Sequence, residues 1–79
     1  MDKARALKKI TREVLGDRPG SSFYNKINWM LDEADWSNAS LVSVTKEIER
    51  MVKLFIGVEF AGMLEKRYKD FFINNTSHI

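Results

Sequence analysis

"SLVSVTKEIERMVKLFIGVEF" spans residues 40–60 and carries the clearest periodic pattern of the chain. Its apolar residues recur at intervals of three and four, the spacing that places side chains on one face of an α-helix. The alternation typical of a strand fails after Thr45, so the pattern predicts a helix over residues 40–56. The apolar face of this helix consists of Leu41, Val44, Ile48, Met51, Val52 and Phe55.

Gly57 interrupts this stretch, and the pattern after it changes direction. On a wheel of about 100° per residue, the apolar side of residues 58–72 points away from that of residues 40–56. A break at Gly57, where left-handed backbone is available, lets both sides face one core. The alternative is a continuous helix whose second half packs on another subunit. We favour the break, which predicts separate helices over residues 40–56 and 58–72.

Two further amphipathic helices precede this region. One covers residues 2–15 and is expected to end at Gly16, and the other covers residues 22–34. Ser21 or Ser22 is the N-cap expected for the second of these helices, and Asn38 or Ser40 for the helix that follows it. The predicted apolar residues of the two helices are Leu7, Ile10, Val14, Leu15, Phe23, Tyr24, Ile27, Met30, Leu31 and Ala34.

The predicted fold is therefore all-α, a small antiparallel four-helix bundle. A single domain is expected over residues 1–73, followed by a flexible C-terminal tail over residues 74–79. The 79 residues include no cysteine, so neither a disulfide nor a thiolate metal site supplements the core. A bundle this small without such supports is expected to self-associate.

The composition argues against membrane and secreted proteins. No apolar run approaches the ~18 residues of a membrane span, and the opening residues MDKARALKKI are charged, unlike a signal peptide. The expected location is cytoplasmic.

One short motif match points to an enzyme but lacks the required context. Residues 32–35 read Asp-Glu-Ala-Asp, the four letters that name a large helicase family. Such a motor needs this acidic pair at the end of a buried strand beside a Gly-rich phosphate-binding loop. Residues 22–34 form a predicted helix, and the chain has no such loop. The acids are instead expected to be the solvated end of that helix, where a basic partner would offset their unfavourable position.

No other catalytic or metal-binding set emerges. The single histidine, His78, lies in the predicted tail without a nucleophile and acid around it. Glu47 and Glu49 point about 200° apart on one helix, so they are not expected to act as a pair. We expect no catalytic residue, no metal site and no cofactor.

Three apolar residues lie off the predicted core and are the candidate partner-binding residues: Trp29, Leu54 and Val42. Trp often anchors interfaces, and Trp29 lies opposite the apolar side of its helix. The alternative is that Trp29 packs beneath the loop at residues 35–40 or a neighbouring helix. Trp36, within that loop, is expected to plug one end of the core.

A basic stripe is the second candidate binding feature. Arg5, Lys8, Lys9 and Arg12 recur at helical spacing opposite the first apolar face. Residues 1–12 contain five Lys or Arg and one Asp, a charge of +4, whereas the whole chain carries +2. Such a face suits phosphates, an anionic membrane surface or an acidic protein, although most charged helix faces are only solvated. Basic and aromatic residues also mix over residues 65–72, where a core face with a solvated opposite side is favoured over base stacking.

The sequence thus predicts a non-enzymatic protein-interaction or regulatory module. We expect it to form a homodimer and to bind a partner protein. Nucleic-acid binding through the basic stripe is the alternative, and salt-dependent affinity would distinguish the two.

Overall fold

The computed structural model describes residues 2–76, and this part of the chain contains four α-helices and no strand. α1 spans Asp2–Leu15, α2 Ser21–Ala34, α3 Asn38–Phe55 and α4 Val58–Thr76. α1 packs on α2 and α4, and α3 packs on the same two helices. Because short connections join consecutive helices, neighbours run antiparallel. The predicted antiparallel four-helix bundle is confirmed.

The helix ends differ from the predicted ones at four places. α2 begins one residue earlier than predicted, and α4 continues past residue 72 to Thr76. α3 begins two residues earlier than predicted and ends one residue earlier, at Phe55. Residues 74–76, assigned to a flexible tail from the sequence, are therefore helical. The rest of the predicted tail, residues 77–79, lies outside the described residues.

The helix caps also correct the sequence predictions. The Ser37 side chain accepts a hydrogen bond from the Ser40 backbone N–H at 3.1 Å and caps α3, the role expected of Asn38 or Ser40. At α2 the N-cap position belongs to Gly20, and no side chain bonds the free N–H groups there. The predicted caps Ser21 and Ser22 instead form the first turn of that helix.

The predicted break at Gly57 is confirmed. α3 ends at Phe55 and α4 begins at Val58, and the N–H groups of Ile56 and Gly57 both donate to the Val52 carbonyl, at 2.8 and 2.9 Å. The Gly57 carbonyl then accepts from the Ala61 N–H at 3.2 Å, which starts α4. Its φ of 157° lies far from the left-handed helical conformation that we expected. That conformation occurs instead at Gly16, with φ 60°, directly after α1.

The core lies along the bundle axis and receives side chains from all four helices. Two buried polar residues, Thr11 and Thr45, were not predicted there. The Thr11 hydroxyl donates to the Leu7 carbonyl at 2.7 Å and accepts from the hydroxyl of buried Tyr68, so α1 and α4 share a satisfied polar contact. The largest fully buried apolar side chains are Leu7, Leu15, Ile27, Leu31, Leu41, Ile48, Val52, Leu64 and Tyr68.

Two aromatic residues expected in the core are exposed. Phe55, the last residue of α3, is 73% exposed, and its ring lies edge-to-face with that of Phe23, with the ring centroids 6.3 Å apart. Trp36 is 77% exposed. It lies in the tight turn after α2, in which its N–H donates to the Ala34 carbonyl at 2.8 Å, and its ring does not plug the core.

Candidate functional site

Burial raises the pKa of three titratable groups in the described residues, namely Tyr24, Glu49 and Tyr68. Burial raises the pKa of the Tyr68 hydroxyl above its ordinary value, and this group is already bonded to Thr11. Burial also raises the pKa of Glu49, with Lys46 opposing the shift and Glu65 adding to it. Residues 2–76 contain no group of three or more His, Cys, Asp or Glu able to hold a metal ion. His78 lies outside the described residues.

A groove of about 320 Å³ between α2 and α3 brings both tryptophans together. Trp29 is 63% exposed, so the interpretation in which it packs beneath the following loop is wrong. Its lining is mostly apolar, and Glu33 is its charged member. The residues that line it are Trp29, Met30, Glu33, Ala34, Trp36, Ser40, Ser43 and Val44.

Further apolar side chains lie along the seam between α2 and α3. Half-buried side chains follow the seam to the Phe23–Phe55 contact at the opposite end of the bundle. Leu54, 72% exposed, lies three turns beyond Ser43 on the same side of α3. We call this surface the α2–α3 face; its apolar members are Phe23, Trp29, Met30, Trp36, Val44, Met51, Leu54 and Phe55.

The three predicted partner-binding residues do not all share this face. Trp29 and Leu54 belong to it, from neighbouring helices. Val42 lies on the other flank of α3 and lines a separate groove of about 300 Å³ against α4, with Tyr68 and Phe72. Val42 is also the least exposed of the three, at 38%. Trp36 and Phe55 complete the face, and the sequence had assigned both to the core.

A strip of exposed residues crosses the outer side of α2. On a wheel of about 100° per residue, Lys26, Trp29 and Glu33 fall within about 60° of one another, opposite the buried side of the helix. Trp36, in the turn that follows, lines the same groove as Trp29 and Glu33. Within residues 2–76, neither Lys26 nor Glu33 has an ion-pair partner. The strip therefore offers two aromatic rings and two unpaired charges of opposite sign.

The basic stripe of α1 is partly used inside the molecule. Lys8 forms a salt bridge with Asp32 at 2.7 Å, which supplies the basic partner expected for the acidic end of α2. The Arg12 guanidinium lies 4.2 Å from the centre of the Tyr24 ring. Three of the four predicted cations line a groove of about 480 Å³ between α1 and α2, and Arg5 lies outside it. That groove is lined by Lys8, Lys9, Arg12, Glu13, Tyr24 and Asn28.

None of the helices in the described part of the chain is long and apolar enough to cross a membrane. No protein-family model, curated protein or solved structure matches the chain.

Proposed function

We propose that this chain is a non-enzymatic protein-interaction or regulatory module that self-associates and binds a partner protein through the α2–α3 face. The cytoplasmic location expected from the sequence is part of this proposal. The observation that carries it is the exposure of Trp29 and Trp36 on one groove, 63% and 77%.

Large apolar side chains that are exposed to water favour association, because a partner surface removes them from water. Burying one Trp or Leu at an interface contributes on the order of 2 kcal/mol, and Trp is enriched among residues that dominate binding. Contiguous apolar patches of a few hundred Å² on small proteins mark interaction sites. Four of the eight exposed large apolar side chains of the described residues belong to the α2–α3 face, namely Trp29, Trp36, Leu54 and Phe55. Their presence on neighbouring helices supports an interaction surface.

Sedimentation equilibrium from low micromolar to several hundred micromolar protein tests the self-association. We expect a dimer with a micromolar Kd, and Trp29→Ala should raise that Kd by tenfold or more, since 1.4 kcal/mol corresponds to a factor of ten. Val42→Ala is the matched control on the other flank of α3 and should leave the Kd within about twofold. Iodide quenching of tryptophan fluorescence should fall as the protein concentration rises.

A parent protein that stays monomeric over the whole range, with both indoles freely quenched by iodide, would exclude self-association. Partner binding has its own readout in capture from the native host followed by mass spectrometry. A specific partner should be retained by the parent and by Val42→Ala and lost with Trp29→Ala. Equal recovery with all three proteins would count against the α2–α3 face as the binding surface.

Nucleic-acid binding is the second candidate function. The observation in its favour is that Lys8, Lys9 and Arg12 line one groove with the amide of Asn28. Against it, Lys8 is paired with Asp32 and Glu13 lies in the same groove. The protein-interaction function is preferred because two of the cations, Lys8 and Arg12, already contact groups within the molecule, whereas the tryptophans are exposed.

A further inference from the structure

We infer that the α2–α3 face is covered by a second copy of this chain. The two copies are related by a two-fold axis that lies between them, perpendicular to α2 and level with the midpoint between Trp29 and Met30, so that α2 packs antiparallel on α2 of the second copy. This inference rests on the proposed self-association and specifies its surface and register. It follows from the order of charges and rings along the outer strip of α2.

The charges on the strip are complementary to themselves. Lys26 and Glu33 are seven positions apart, about two helical turns, so they lie on the same side of α2. Their midpoint falls between Trp29 and Met30. When two copies of α2 pair antiparallel about that midpoint, Lys26 of each copy faces Glu33 of the other. Both side chains are exposed and lack a partner within residues 2–76, so the pairing creates two salt bridges.

The aromatic residues fit the same register. In an antiparallel pair centred there, Trp29 faces Met30 of the second copy, and Trp36 faces Phe23 of the second copy. Within each copy, the Phe23 and Phe55 rings form an edge-to-face pair with their centroids 6.3 Å apart. Trp36, exposed at one end of the bundle, therefore covers the pair of rings exposed at the other end. One two-fold axis thus accounts for both exposed tryptophans, Phe55 and the two unpaired charges.

The size of the face sets the expected affinity. The 18 residues of α3 extend about 27 Å, and two packed helices are about 20 Å wide. The face therefore covers on the order of 500 Å², and two faces bury on the order of 1,000 Å² in total, near the lower limit for a specific interface. A micromolar dimer is the expected outcome.

A charge exchange tests the register. In Lys26→Glu and in Glu33→Lys, both two-fold-related contacts become like-charged, and each variant should raise the dimer Kd about tenfold at low salt. In an equimolar mixture of the two variants, every contact has opposite charges, so the mixed dimer should regain a Kd near that of the parent. The double variant should also regain it. Lys66 is exposed on the outer side of α4. Lys66→Glu makes the same change in net charge as Lys26→Glu and should leave the dimer Kd unchanged.

The absence of cysteine allows a second measurement. Under mild oxidation, a mixture of Lys26→Cys and Glu33→Cys should form a disulfide-linked dimer faster than either variant alone, because only the mixed pair brings the two positions together.

The outcomes separate this inference from the proposed function. A parent that dimerises while the single charge variants keep the parent Kd, or while neither mixture shows recovery or selective linking, overturns the register and leaves self-association standing. A parent that stays monomeric overturns both.

Discussion

Gly16 and Gly62 differ in backbone conformation, and the difference predicts opposite effects of adding one methyl group. Gly16 follows α1 with φ 60°, a conformation that costs an L-residue roughly 1 kcal/mol. Gly62 lies inside α4, and a methyl group added there would meet no neighbouring side chain or helix within 4 Å. Gly16→Ala should lower the free energy of unfolding by about 1 kcal/mol, whereas Gly62→Ala should raise it by up to about 1 kcal/mol. Urea denaturation measures both, and a stabilised Gly16→Ala would contradict the assignment.

The contact between Thr11 and Tyr68 predicts an asymmetric pair of substitutions. Tyr68→Phe leaves the Thr11 hydroxyl bonded to the Leu7 carbonyl, so its cost should be about 1 kcal/mol. Thr11→Val leaves the buried Tyr68 hydroxyl without an acceptor, which should cost about 1–3 kcal/mol. Denaturant unfolding of both single variants and the double variant measures these costs. Equal costs for the two single variants would show that the phenol finds another acceptor.

Tyr68 also predicts how stability changes at alkaline pH. Burial raises its pKa in the folded state above the ordinary value of about 10. A group whose folded pKa is raised stabilises the protein fully below the unfolded pKa, and this stability is lost as pH rises above it. The free energy of unfolding should therefore decline above about pH 10. Tyr68→Phe should make that decline shallower, and Tyr24, whose pKa is raised by burial, should account for part of the remainder. An unchanged slope would contradict this assignment.

At the scale of the helix, the cap of α3 supports a measurable prediction. Ser37 satisfies the free Ser40 N–H, and replacing such a cap with alanine costs about 1 kcal/mol. Ser21 is the matched control because it begins α2 without capping it. Thermal unfolding should show a lower Tm for Ser37→Ala and a nearly unchanged Tm for Ser21→Ala. An unchanged Tm for Ser37→Ala would contradict the assigned cap of α3. A lowered Tm for Ser21→Ala would show that Ser21 caps α2, as the sequence predicted.

The short connection at Gly57 determines how α3 and α4 pack against each other. The Gly57 region joins them through carbonyl and N–H groups of Val52, Gly57 and Ala61, so the chain reverses within two residues. The reversal brings the apolar sides of both helices to one core. Phe55, which ends α3 immediately before this reversal, is exposed and belongs to the α2–α3 face.

At the scale of the whole molecule, charge distribution decides between the two candidate functions. Arg5 and Lys9 are exposed and have no ion-pair partner within residues 2–76, so reversing both to Glu should leave the fold and the dimer intact. Under the proposed function, the parent binds nucleic acid no more tightly than a nonspecific Kd of about 10⁻⁴ M at physiological salt. Fluorescence anisotropy over a salt series measures this affinity.

Specific nucleic-acid binding would be recognised by its dependence on salt concentration. If the parent binds nucleic acid specifically at physiological salt, its log affinity should fall linearly with log salt concentration, and the Arg5 and Lys9 double variant should reduce that slope by about two. That outcome would replace the protein-interaction function with the nucleic-acid alternative.

Much of the fold was accessible from the chain alone because its causes are local. Apolar spacing identified all four helices, and Gly16 and Gly57 marked two of the interruptions. The off-core positions of Trp29, Leu54 and Val42 could also be predicted, since the direction of a side chain around one helix follows from its place in the repeat.

Other properties depended on how the helices pack. Periodicity describes the direction of a residue around its helix but not how deeply it is buried, so Phe55 was assigned to the core and is exposed at the end of α3. Trp36 was expected to plug the core from the loop after α2, and its ring is exposed as well. The buried contact between Thr11 and Tyr68 required α1 and α4 to be neighbours. The grouping of Trp29 with Leu54, and the separation of Val42, likewise followed from the order of helices around the bundle, because a shared surface is a property of adjacent helices rather than of either one.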